Sequence, residues 1–140
     1  MTAEANAPAR PRPEPMIKAI PFFEGTKAGK ILVQKCTNCS EYTWYSHFVC
    51  PNCMEDTLEW VESTGKGKIY TFTVVYQHNN PFFMNKVPYV YGVVELDEGP
   101  RLVSNIEGID PEAVRCDMRV EATFEKLDDE ITVPIFKVVG

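Results

Sequence analysis

At 140 residues, the chain has room for one medium domain, or for a small metal module plus one barrel-sized domain. Its formal charge of −6 disfavours nucleic-acid binding, where neutralising phosphates supplies most of the affinity. Met1–Met16 has no apolar core of a signal peptide and no stretch of the chain has eighteen consecutive apolar residues, so a cytoplasmic protein with no membrane partner is expected.

Five of the eleven prolines fall within the first 21 residues, which predicts a disordered, extended tail over 1–15. An N-terminal helical segment is expected over 16–30. Pro21 suits a first helical turn, where its missing N–H costs nothing, and Gly29 suits the residue just past the helix end, giving a helix from about Pro21 to Ala28. Phe22 and Phe23 either pack onto the module that follows or form an exposed aromatic arm for a partner.

The segment 31–63 reads as a zinc ribbon. Ile31–Lys35 leads as a strand into Cys36-Thr37-Asn38-Cys39, and Cys50-Pro51-Asn52-Cys53 follows after ten intervening residues. Each Cys-x-x-Cys turn aims two sulfurs and several backbone N–H groups at one point, so two facing turns build a tetrahedral thiolate cage. Zinc suits that cage, and iron is the alternative. Rubredoxin-type iron sites usually carry glycine after each pair, whereas Ser40 and Met54 stand here. Two disulfides are the reading for a secreted protein, and a redox Cys-x-x-Cys would stand alone beside a βαβ pattern. Four ligands leave no open coordination position, so the site serves folding rather than chemistry. Four metal-bound thiolates and one divalent ion would bring the charge to about −8. A return strand is expected over Tyr42–Phe48, with Trp44 and Tyr45 shielding the metal, and His47 is a possible substitute ligand. Leu58–Ser63 leaves the module as a strand.

From residue 64 the pattern is that of a five-stranded barrel. Gly65 and Gly67 mark a bend before a strand in which Tyr70, Phe72, Val74 and Tyr76 alternate with Ile69, Thr71, Thr73 and Val75. Asn79-Asn80-Pro81 then begins a loop carrying three consecutive large apolar residues, Phe82, Phe83 and Met84, which calls for burial on a partner, a ligand or the barrel itself. His78 has no carboxylate or nucleophile near it in sequence. Strands are expected at Tyr89–Leu96, Arg101–Ile106, Met118–Leu127 and Ile131–Val139, with turns at Asp97–Pro100 and Asp128–Glu130. A helical turn capped by Asp110 precedes the fourth strand, and Pro134 implies an edge or bulge in the fifth. Cys116 reads as a free thiol. The fold class is therefore mainly β: N-terminal helix, zinc ribbon, then an OB-fold barrel over 64–140.

These pieces together resemble a known family. Gln34-Lys35-Cys36, Cys39, Cys50-Pro51 and Cys53 are followed by Gly65, Gly67 and Ile69-Tyr70-Thr71-Phe72-Thr73, then by Pro134-Ile135-Phe136. The order is similar to that of small proteins with a rubredoxin-like zinc ribbon and an OB-fold, once listed as a domain of unknown function. The resemblance spans roughly Pro21 to Val138. It implies Cys36, Cys39, Cys50 and Cys53 as zinc ligands and a non-catalytic accessory subunit of a thiolase-type acyl-CoA complex. In some archaeal assemblies such proteins bridge an acetoacetyl-CoA thiolase and a hydroxymethylglutaryl-CoA synthase, and others accompany acyl-CoA hydratases and aldolases. By the same resemblance, the ribbon and helix grip the partner, and Phe82-Phe83-Met84 contact the partner or the acyl chain. Many members have a proline-rich stretch before the third cysteine. Thr43–Val49 replaces it here, and the departure is explained equally by Trp44, Tyr45 and Phe48 receiving an aromatic or bulky acyl group or by a narrower complementary partner surface.

No nucleophile sits beside a base, and no paired carboxylates lie in an apolar setting, so no catalytic residue is nominated and the chemistry is expected from the partner. A third reading takes the barrel as a single-stranded nucleic-acid binder, with Tyr70, Phe72 and Tyr76 stacking on bases and Lys66 and Lys68 on phosphates.

Overall fold

The computed structural model describes residues 9–44 and 46–139. Helix α1 (Ile20–Lys27) follows a 3-10 turn at Ile17–Ala19 and has Pro21 in its first turn. It ends as the glycine predicts. Gly29 takes φ +76°, its N–H bonds the Thr26 carbonyl, and the Lys30 N–H bonds back to Gly25, the double closure of a Schellman motif.

Strand β1 (Ile31–Cys36) is the centre of a three-stranded sheet, flanked by β2 (Tyr42–Thr43) and β3 (Leu58–Ser63), both antiparallel to it. The return strand expected over Tyr42–Phe48 is only two residues long. Ser46 takes φ +63°, which no strand continues through, and the buried side chain of Gln34 replaces the missing ladder. Its amide nitrogen donates to the His47 carbonyl at 3.1 Å, and its oxygen accepts from the His47 N–H at 2.9 Å.

The barrel closes in the order β4-β5-β6-β8-β7, from β4 (Lys66–Val75), β5 (Tyr89–Leu96), β6 (Arg101–Glu107), β7 (Arg119–Lys126) and β8 (Thr132–Val138). Gly67 pairs with Leu96 on one side and Val120 on the other, and a Cβ there would stand 2.4 Å from the Glu95 carbonyl oxygen. The corner closes because that side chain is absent. A bulge between Ile69 and Thr71 reverses the facing of β4, leaving Ile69 fully buried and Tyr70 exposed. Phe72 returns to the core, so Tyr70, Phe72 and Tyr76 do not form the shared stacking surface of the nucleic-acid reading. Strand β8 pairs with β7 along its length but with β6 only at Phe136 and Lys137, so Pro134 lies where its other side has no ladder to break. Asp110 caps a 3-10 turn at Pro111–Ala113 through the Glu112 N–H.

The apolar core has two parts. The larger joins Ile31 and Val33 of the ribbon sheet to Ile69, Val94, Val120 and Phe136 of the barrel. The smaller places Phe22 and Phe23 of α1 with Ala19 and Ile131, and Trp44, Trp60 and Val133 pack against it. The Thr26 hydroxyl lies 2.6 Å from the Thr132 carbonyl, tying α1 to β8. At the ribbon–barrel junction, Glu98 accepts from the Ser63 hydroxyl and the Thr64 N–H.

Residues 9–15 hold no helix or strand, but they are not the free tail expected. Arg10 and Arg12 seat them on the barrel; residues 1–8 lie outside the described residues.

Candidate metal centre and docking face

The loop after β1 and the loop before β3 bring Cys36, Cys39, Cys50 and Cys53 together, their sulfurs all within 4.8 Å of one another. The Sγ atoms of Cys36 and Cys53 are 3.6 Å apart, as are those of Cys39 and Cys50, and all four are free thiols. A tetrahedral site with metal–sulfur bonds of about 2.3 Å separates its sulfurs by about 3.8 Å, so the cluster fits a metal and not two disulfides.

The two loops are near copies. The Ser40 N–H bonds the Cys36 carbonyl at 2.9 Å, and the Met54 N–H bonds the Cys50 carbonyl at 2.8 Å. Ser40 and Met54 both take left-handed backbone, at φ +67° and +65°. These are the glycine positions of rubredoxin-type turns, so the turn geometry is kept with side chains on it, at a cost of about 1–2 kcal/mol each. The shared asparagines then cross over. Asn38 Nδ2 lies 3.5 Å from the Cys53 sulfur, and Asn52 Nδ2 lies 3.4 Å from that of Cys39.

Hydrogen bonding sets the charge of the thiols. The Thr57 hydroxyl stands 3.0 Å from the Cys36 sulfur, and with the Cys39 and Asn38 amides it holds that thiol down at about 6. Asn38 and the Glu55 amide lower Cys53 as well. For Cys50 the Cys53 amide pulls downward, but burial and its thiol neighbours prevail and hold it up at about 11. Donors thus favour the thiolate at Cys36 and Cys53, while the buried Cys50 needs the metal itself to drive off its proton. Cys116 is exposed and takes no part.

The aromatic residues nominated from sequence are distributed differently from expectation. Phe22 and Phe23 are buried within the chain, so the exposed-arm reading is corrected: the Phe22 and Trp44 rings stand nearly perpendicular with centres 4.9 Å apart, and both join α1 to the ribbon. Trp44 is half-buried and packs against both parts of the apolar core. Tyr45 lies outside the described residues. Phe82, Phe83 and Met84 form a one-turn helix, α2 (Pro81–Met84), capped by the Asn80 side chain on the Phe82 N–H. Phe83 leans on Tyr89 and His78, while Met84 is exposed. Beneath α2 a cavity of about 370 Å³ runs between Phe82, Tyr89, Phe124 and Ile135.

What composition concealed is an apolar surface beside the metal loops. Ile17 is 86% exposed, Met54 69%, Met16 67% and Phe48 63%, with Ile20 and Val49 also exposed. Lys18 Nζ stands 5.2 Å from the Phe48 ring centre, so the start of α1 and the ribbon loop adjoin. Phe48, Val49 and Met54 flank the second cysteine pair in sequence, and exposed large apolar side chains that adjoin one another mark interaction surfaces. The signal available in sequence was the run Met16-Ile17 with Ile20, large apolar residues at the start of the helical segment in addition to the buried Phe22 and Phe23.

A family model described as the ChsH2 C-terminal OB-fold domain matches residues 60–125. A "DUF35 domain-containing scaffold protein" of Methanocaldococcus jannaschii is 36% identical over 97 residues, covering 69% of this chain and 68% of the relative. The chain belongs to the DUF35 family. Among solved structures, this DUF35 chain superposes on the "Ltp2-ChsH2(DUF35) aldolase" with a TM-score of 0.81 at 32% identity, covering 91% of this chain and 98% of that one. A "Probable enoyl-CoA hydratase alpha subunit" of Thermomonospora curvata is 34% identical over 91% of this chain, which spans only 40% of that relative's length. "Benzoylsuccinyl-CoA thiolase subunit BbsA" of Geobacter metallireducens is 29% identical over 64% of this chain and 58% of its own. Among the described residues, no helix is long and apolar enough to cross a membrane.

Proposed function

We propose that this DUF35 chain is a non-catalytic, zinc-stabilised accessory subunit of an acyl-CoA enzyme, and that a thiolase-type catalytic subunit docks on the face formed by Met16, Ile17, Ile20, Phe48, Val49 and Met54. The observation that carries the reading is the exposure of Phe48, Val49 and Met54 on the loop that holds the second cysteine pair, with Met16 and Ile17 exposed at the start of the helical segment whose Lys18 reaches the Phe48 ring. A closed four-thiolate site has no position for substrate, so its role is to hold the loop bearing Phe48 and Val49 and the turn bearing Met54. The relative named as a thiolase subunit supports the choice of partner class.

A second reading keeps the accessory role and makes the reaction an aldol cleavage or a hydration. It is favoured by the near-complete match to the DUF35 component of the aldolase and by the hydratase relative. The single-stranded nucleic-acid reading loses support on charge. Lys66 lies 3.9 Å from Glu121, Lys68 lies 3.6 Å from Asp117, and Arg101 covers the Tyr70 ring at 3.8 Å.

The test is purification of the tagged chain from its native host, with the metal quantified and the co-purifying chain identified by mass. A stoichiometric thiolase-like chain and one zinc per protomer are expected, and the paired change Ile17→Asp with Phe48→Asp should abolish co-purification while leaving the metal bound. Retention of the partner by that variant at wild-type stoichiometry would remove the docking face, and a hydratase as partner would establish the second reading.

A further inference from the structure

The segment seated on the barrel presents a different chemistry from the docking face. Arg10 places one guanidinium nitrogen 3.1 Å from Glu125 and another 2.7 Å from the Asn105 side-chain oxygen. The same guanidinium lies 5.5 Å from the centre of the Phe83 ring and 5.7 Å from that of Phe82. Two residues on, Arg12 sets Nε 2.7 Å from Asp128 and a terminal nitrogen 3.0 Å from Glu130. Pro11 and Pro13 alternate with the arginines and keep the segment extended.

The seats are prepared by the body of the protein. Asp128 Oδ1 accepts the N–H groups of Glu130 and Ile131, which leaves Oδ2 facing outward to the guanidinium. Asn105 donates its Nδ2 to the Val90 carbonyl at 3.4 Å and so turns its oxygen outward. Acceptors fixed in this way lose little freedom on binding. The seats also sit where the barrel is least closed, since β6 and β8 pair only at their far ends and a cavity of about 510 Å³ opens between Val103 and Val133 under Pro11 and Pro13. Among the described residues, the hydrogen bonds that join residues 9–15 to the body come from the two arginine side chains, so the segment can leave without breaking any strand or helix.

We propose that the face between β6, β7 and β8 is a receptor groove for an extended arginine–proline segment, filled in cis by this chain's own Arg10–Pro13, and that a partner's segment of the same chemistry binds by replacing it. This does not depend on which enzyme docks at the metal loops. The groove selects for a guanidinium twice over: a fork of acceptors that an ammonium cannot satisfy bidentately, and two ring faces beneath the first arginine.

The test uses the full chain carrying Arg10→Ala and Arg12→Ala, titrated with a synthetic peptide of residues 9–15 while the amide signals of Asn105, Glu125 and Asp128 are followed by NMR. Saturable shifts at those three amides are expected. The wild-type chain should need at least about tenfold more peptide, because a groove occupied nine-tenths of the time in cis lowers apparent affinity by that factor. Affinity should fall as salt rises from 0.05 to 0.5 M, and a peptide with both arginines replaced by alanine should not bind. Absence of saturable shifts in the double variant, or equal affinity of variant and wild type, would overturn the proposal.

Discussion

The cysteine site depends as much on the residues that aim hydrogen bonds at it as on the four ligands. Thr57 is the clearest case, because it lies outside both Cys-x-x-Cys motifs yet is the largest cause of the lowered Cys36 thiol. A depressed pKa contributes stability that is present above the unfolded value of about 8.5 and lost as pH falls through the folded value of about 6. Thr57→Val removes the donor and raises the pH at which a proton competes for the sulfur. The midpoint of acid-induced metal release, followed with a chromogenic chelator, is therefore expected to move upward. An unchanged midpoint would mean that the amides of Asn38 and Cys39 suffice. Spacing made the four ligands legible, and the asparagine common to both motifs was visible as well. The left-handed backbone of Ser40 and Met54 was not, because neither side chain signals that conformation.

At the level of elements, the loop from Trp44 to Val49 shows where local pattern ran out. The ten residues between the cysteine pairs leave room for a return strand, and nothing within Tyr42–Phe48 reveals that the buried Gln34 will supply the hydrogen bonds of His47. Gln34→Ala would leave two part-buried backbone groups at His47 without partners, at a cost of about 1–3 kcal/mol. Since Phe48 and Val49 ride on that loop, the variant should also lose partner affinity by more than the stability change alone explains. Denaturant unfolding together with a binding titration separates the two effects, and intact binding would show that the loop is held by the metal turn instead. The barrel strands were legible for the opposite reason. Their turns carry local signals, such as Asp97–Pro100 with Gly99 at φ +117°, and their facing residues alternate. Two adjacent phenylalanines on a short helix gave no such guide: both are buried, while Ile17 and Ile20 just before them are exposed.

Over the whole molecule, the sequence divides at residue 63 but the packing does not. Ile31 and Val33 of the ribbon sheet are buried in one cluster with Ile69, Val94 and Phe136 of the barrel, so β1 belongs to both modules. Long-range seating of the N-terminal segment was equally hidden, because its ion-pair partners lie more than a hundred residues away in sequence. The shared core bears on what metal removal does. The expectation from sequence is loss of the entire ribbon, Ile31–Ser63. Burying each large aliphatic side chain contributes about 1.5–3 kcal/mol, and that contribution to the first half of β1 does not pass through the thiolates. Chelation should therefore free the two cysteine loops between Cys36 and Thr57, where the sulfurs are the principal cross-link, and leave the Ile31–Val33 end of β1 paired with Val61–Ser63. Hydrogen exchange measured with and without chelator checks this. Amides of Cys39, Cys53 and Met54 are expected to exchange freely while those of Val33, Ile69 and Val94 stay protected. If Val33 exchanges as fast as Cys39, the metal holds the whole sheet, and the covalent order of the modules, not the shared core, governs how the chain comes apart.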